Sequence, residues 1–238
     1  MAVPAPDTLD DDVSAALAAF LAGKRAELTA MHPALAAVVD EIARRCAEAP
    51  GRRPAYAYWA WRGSAPAGAP VDDGAVRRAV AALELLRVCA VEHADVSADA
   101  AAPGPVPAVG RAILSGDLAL IWSQEVLTGS GLPEDTLEAI GPVWDALRTG
   151  FSAGSYLDLL RAAGGLDGGG DPDSPTGWSL RLGAALAGAD AAARAACARI
   201  GTLLDEGADA ERIRGAVAAA PLAEEARQAL LALSSSGS

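Results

Sequence analysis

Lysine is nearly missing from this chain: Lys24 stands alone, and every other basic residue is an arginine. With 19 basic residues against 31 acidic ones the net charge is −12. That balance excludes an electrostatic grip on nucleic acid or anionic lipid, because both are polyanions that the chain repels. Cysteine is scarce as well. Cys46, Cys89 and Cys197 are odd in number and far apart, matching neither a zinc spacing nor a disulfide framework, so a reducing, cytoplasmic setting is expected. No run of about 18 uninterrupted apolar residues occurs, so no membrane span is expected. Met1 to Asp12 carries acids where a secretory signal carries basic residues. Aromatic residues make up only 4%, so the core must rely on small aliphatic side chains.

What is there is alanine, leucine, arginine and glutamate, all good helix formers. The 238 residues are 52% hydrophobic, enough for one large domain or two small ones. Thr8 and Asp10 to Asp12 precede Val13, Leu17, Phe20, Leu21 and Leu28, an acidic start followed by helical spacing. Pro33 opens a second helix toward Cys46, ended by Pro50 and Gly51. Tyr56 to Trp61 alternates enough for a strand, yet its alanines allow a helix, and periodicity leaves the two open. From Asp73 to about Ala98 apolar residues cover nearly every face, the mark of a central helix. Glu84 and Arg87 interrupt it at i,i+3, close enough to pair in the interior.

Pro103, Pro105 and Pro107 form a rigid connector, followed by helices over Ile113 to Val126 and Asp135 to Ala163. Between Gly164 and Gly177 glycine, aspartate and proline take over, predicting a loop. Trp178 to Ala198, Thr202 to Ala220 and Leu222 to Leu233 are helical by pattern. The expectation is one all-α bundle over residues 1–233, with 234–238 as a flexible tail.

Several stretches, in order, resemble the all-trans isoprenyl (polyprenyl) diphosphate synthase family. Arg52-Arg53-Pro54 and the helix after it resemble the family's Gly-Lys-x-x-Arg-Pro segment. Ala82-Leu83-Glu84-Leu85-Leu86 leading to His93-Ala94-Asp95-Val96 resembles the helix of its first aspartate-rich motif, His-Asp-Asp-x-x-Asp. Gly116-Asp117-Leu118-Ala119, Gly154-Ser155-Tyr156-Leu157-Asp158 and Leu182-Gly183-Ala184-Ala185-Leu186-Ala187-Gly188-Ala189 are similar to later helices. The likeness spans roughly residues 10 to 200. It implies a single-domain helical bundle of the isoprenoid synthase type, with C-terminal helices missing relative to the family. In that family two aspartate-rich motifs hold Mg2+ against the diphosphate of an allylic substrate while basic residues hold a second diphosphate.

The departures bear on chemistry. Of the three carboxylates expected in the first motif only Asp95 stands in place, with Asp99 one position late and Glu92 three residues before Asp95. Glu92, Asp95 and Asp99 form either a relocated metal stripe or, more simply, an arginine contact and a solvated helix end. Nothing after Gly188 resembles the second motif, and Pro103-Gly104-Pro105 stands where Arg-Arg-Gly is expected. Without bridging metal, an aspartate about 4 Å from a phosphate oxygen repels it by about 4 kcal/mol at an effective dielectric of 20, roughly a thousandfold in affinity.

Arg52 and Arg53 are the retained candidates for diphosphate binding, or else a solvated charge run. Cys89 and Ala90 sit where the family places chain-length residues, and their small size leaves a prenyl tunnel open. The resemblance therefore implies a catalytically degenerate homologue with Mg2+ binding weakened or lost, acting as a non-catalytic or regulatory subunit in isoprenoid biosynthesis. Its expected ligand is an isoprenoid diphosphate or prenyl chain, and its expected assembly a homodimer or a heteromer with a complete homologue. The alternative is an active, unconventional trans-prenyltransferase or terpene-synthase-like enzyme acting on allylic diphosphates.

Overall fold

The computed structural model describes residues 6–48, 52–66, 72–98, 108–162, 164–165 and 174–235. Every element among them is helical: α1 (Pro6–Met31), a 3-10 turn (Pro33–Leu35), α2 (Ala36–Glu48), α3 (Arg53–Ser64), α4 (Asp73–Val80) and α5 (Ala82–Ala98). Then come α6 (Ala108–Thr128), α7 (Glu134–Ala162), α8 (Pro175–Leu186), α9 (Ala191–Asp205), α10 (Ala210–Ala219) and α11 (Glu224–Ser235). One cluster of buried apolar side chains runs from Leu9 in α1 to Leu230 in α11. The largest members at its centre are Trp59, Trp144 and Tyr58, so a few aromatics supply the bulk that alanine lacks. No helix among the described residues is long and apolar enough to cross a membrane.

Tyr56 to Trp61 is helix. Every residue from Pro54 to Trp61 is buried, because α3 is flanked by α1, α4, α5, α8 and α11. A segment covered on all sides has no polar face, so its sequence carries no helical period. The long helix expected over 73–98 is two helices, bent at Ala81, where the Glu84 N–H donates to the Ala81 carbonyl at 3.0 Å. Val80, Ala81 and Ala82 pass through the bend fully buried. The expected interior pair is present, with Arg87 Nε donating to Glu84 Oε1 at 2.6 Å.

Beyond the loop the breaks differ from the expected ones. Gly188, at φ +72°, closes α8, with Ala189 N–H reaching back to the Ala184 carbonyl at 3.0 Å. Asp190 then caps α9 through Ala193 N at 2.8 Å. Glycine tolerates this left-handed turn where other residues are strained. Farther on, α9 runs through Ile200-Gly201-Thr202 without interruption, and the chain turns instead at Gly207, before the Asp209 cap of α10. The last helix continues through Ser235.

Two of these helices meet their neighbours backbone to backbone. A Cβ on Gly183 of α8 would overlap the Ala57 carbonyl of α3, and a Cβ on Gly201 of α9 would overlap Gly177 of α8. Ala57 and Ala60 supply the small surface that α3 offers α8 at Gly183. We expect Gly183→Ala to lower stability by roughly 2 to 3 kcal/mol, the scale of overpacking that a backbone must absorb. Gly23→Ala, with nothing within 4 Å of the new methyl, should be neutral or raise stability by up to about 1 kcal/mol. Urea denaturation of the two variants beside the parent checks the contrast.

Candidate functional site

The C-terminal half of α5 carries the acids that the sequence singles out. Glu92 is 3% exposed. Its Oε1 accepts from Arg45 Nε of α2 at 2.9 Å, and its Oε2 accepts from Ser115 Oγ of α6 at 2.9 Å. Arg87, one turn earlier, donates to the Arg45 carbonyl at 2.7 Å. The Glu92 carboxylate is thus the hinge of a polar seam joining α2, α5 and α6. Asp95 lies on the last turns of α5, but its side chain, like the whole of Asp99, falls outside the described residues. Among the described residues no group of three acidic, histidine or cysteine side chains converges as a metal site. Both Glu92 oxygens have protein donors, so this acid does not fit a magnesium ligand.

Cys89, His93 and Asp117 have the outline of a nucleophilic triad. Cys89 Sγ is 3.8 Å from His93 Nδ1, and His93 Nε2 is 3.4 Å from Asp117 Oδ1. The chemistry does not follow, because Cys89 is fully buried and burial, helped by Asp117 and Glu92, pushes its thiol up to about 12. A reactive cysteine needs the opposite environment. Cys89 and His93 pack where α5 crosses α6, since a Cβ on Gly116 would lie 2.6 Å from the His93 ring, and the Asp117 carboxylate beside them is exposed.

Arg52 and Arg53 part company. Arg52 Nη1 donates to the Leu233 carbonyl of α11 at 2.7 Å. Arg53, the first residue of α3, instead lines a small depression of about 30 Å3, open on one side and almost wholly apolar, with Leu83, Leu86, Leu147, Phe151, Pro175, Trp178 and Ser179. It is the single charged group in that wall, and burial pushes its guanidinium below the ordinary value, with Asp205 and Glu84 opposing the fall. Ala90 is half-buried one turn beyond Leu86 on the same face of α5. Cys89 lies against His93 instead, and neither residue is part of the wall.

The far side of the depression is built by the first turn of α8. Ser174 caps it through Gly177 N at 2.7 Å. Asp205, at the C-terminal end of α9, accepts from Ser174 Oγ at 2.5 Å, Thr176 Oγ1 at 2.7 Å and Thr176 N at 3.0 Å. Sequence reasoning missed this carboxylate and the walls from α7. No spacing links Asp205 to Thr176, and only the Ser-Pro-Thr cap signal at 174–176 hinted that a helix begins there.

No family model matches the chain, and no curated protein matches it. Among solved structures it is similar to a geranylgeranyl pyrophosphate synthase from Corynebacterium glutamicum complexed with isoprenyl diphosphate and magnesium, at 22% identity and a TM-score of 0.72. A second structure from that organism, provisionally assigned the same activity, has 22% identity and a TM-score of 0.71. The chain has the isoprenyl diphosphate synthase fold. The alignments cover 89% and 88% of this chain but 68% and 63% of the two neighbours, which fits a shortened bundle of that fold.

Two outcomes follow from the seam. Arg45→Met leaves the Glu92 carboxylate buried without its cation, and we expect a loss of about 3 kcal/mol, the low end for breaking a buried pair because Arg45 is partly exposed. Arg45→Met combined with Glu92→Gln should recover part of that loss, and urea melts of the single and double variants read the difference. Burial also raises the thiols of Cys46 to about 12 and Cys197 to about 11. A thiol that ionises later in the folded chain than in the unfolded one leaves stability flat below the unfolded value, about pH 8.5. Stability is then lost as pH rises toward 12. Ellman's reagent at pH 8 should label the cysteines only as the chain unfolds.

Proposed function

We propose that this protein is a non-catalytic companion of isoprenyl diphosphate synthases, which partners a complete homologue. The observation that carries this reading is the commitment of Glu92 to Arg45 and Ser115. An acid near the end of the helix that would present a metal clamp has become part of the protein's own packing. Magnesium in the fold's catalysts neutralises a departing diphosphate; with Glu92 held by Arg45 and Ser115, no step through it is derived for this chain.

A partner surface is available on α6, where Leu114 and Ile121 are exposed on one face, 64% and 55% respectively.

The test combines turnover and assembly. Purified protein given magnesium, isopentenyl diphosphate and farnesyl diphosphate should release no diphosphate above background, and coexpression with a complete synthase should yield a heteromer by size exclusion with mass detection. Steady diphosphate release by the chain alone would replace this reading with the unconventional transferase. Two chains that elute independently would remove the companion role.

A further inference from the structure

We infer that α6 pairs antiparallel with α6 of a second copy of this chain, across a two-fold axis at Leu118. A complete homologue, the partner in the companion reading, would then compete with the second copy for the same face.

One stripe on the outer side of α6 reads Arg111, Leu114, Leu118, Ile121 and Glu125, at alternating spacings of three and four residues. On a helix those spacings keep the five within about a quarter turn of one another. Leu114 and Ile121 are largely exposed, Arg111 is exposed and Leu118 is half-buried between them. Three large aliphatic side chains adjoining on one helix make a patch, the kind of surface through which proteins associate.

The symmetry of the stripe commits it to a second copy. Arg111 stands seven residues before Leu118 and Glu125 seven after it, about 10.5 Å along the helix in either direction. Turning α6 end over end about Leu118 therefore sets Arg111 of each copy opposite Glu125 of the other, and Leu114 opposite Ile121. Such a face is self-complementary, and each of its contacts occurs twice. A parallel arrangement would oppose arginine to arginine and glutamate to glutamate, so the charges choose the direction as well as the register. Glu125 Oε2 also receives Lys24 Nζ of α1 at 2.6 Å, and its side chain remains 43% exposed beside that partner. Asp117, next to His93, lies about 100° around the helix from Leu118, on the flank of the stripe. Each copy carries −12, yet charges farther apart than about 8 Å are screened at physiological salt, which leaves the pairs within the stripe to decide.

Sedimentation velocity of the full chain over a concentration series reads the assembly, with Arg111→Glu, Glu125→Arg and the double variant alongside. The parent should sediment as a dimer. Each single variant sets like charges opposite one another at two places and should dissociate roughly tenfold more readily. The double variant, with the pairs exchanged, should recover the parent's dimer. An equimolar mixture of the two single variants should dimerise as well, because every glutamate of one then meets an arginine of the other. A monomeric parent overturns the inference, and so does a dimer that neither single variant weakens or that the double variant fails to restore. A monomeric parent that still joins a complete synthase leaves the companion reading standing; a homodimer that does not join it removes that reading and keeps this one. Should Glu125→Arg disturb the fold through Lys24, Leu114→Glu decides in its place, at a position already 64% exposed. It should dissociate the dimer, and a dimer it leaves unchanged overturns the inference.

Discussion

The close approach of three backbones, α3 to α8 at Gly183 and α8 to α9 at Gly201, is the constraint on which the rest of the molecule rests. Where helices touch without intervening side chains, their axes and register are set by main-chain sterics, and little adjustment is left. That register fixes what the N-terminal turns can do. Arg53 and Ser179 come to one depression because Ala57 and Gly183 meet one turn away, and Asp205 reaches Thr176 because Gly201 and Gly177 meet nearby. The wall around Arg53 is a consequence of glycine placement some distance from it.

A second constraint is polar. Burying Glu84, Arg87 and Glu92 costs desolvation, which is recovered only when each charge finds good geometry. Here the partners interlock: Arg87 serves Glu84 and the Arg45 carbonyl, and Arg45 serves Glu92. Four groups on two helices thus satisfy one another, and Ser115 ties in a third helix. Such a network contributes more to fixing how α2, α5 and α6 meet than to net stability. Arg45 also pairs with Glu41 at 3.3 Å and is partly exposed, so within this pair it is the buried Glu92 carboxylate that depends on the arginine.

How much was legible in the sequence depended on whether the signal was local. The Glu84 and Arg87 pair was readable because i,i+3 spacing on a helix is itself the geometry. The all-helical class was readable from composition, and the isoprenyl synthase fold from the order of weak motifs. Tyr56 to Trp61 resisted because a helix buried on all sides presents no alternation of environments to leave a period. The bend at Ala81 was hidden for the same reason. Gly201 reads as a break when taken alone, since glycine interrupts helices in general, but here it is kept by the backbone it touches. Asp205 was invisible because its partners lie across a turn of chain whose fold no pattern encodes.

The fates of Glu92 and Asp205 have one physical root. A carboxylate whose intended partner is a metal ion is satisfied only while that ion is bound, and burial without it is costly. Giving the carboxylate a permanent partner from the protein removes this dependence, and it also removes the charge as a means of gathering metal and diphosphate. Glu92 has Arg45 and Ser115; Asp205 has Ser174 and Thr176. In each case an acid that could attract a mobile partner is tied instead into the protein's own packing.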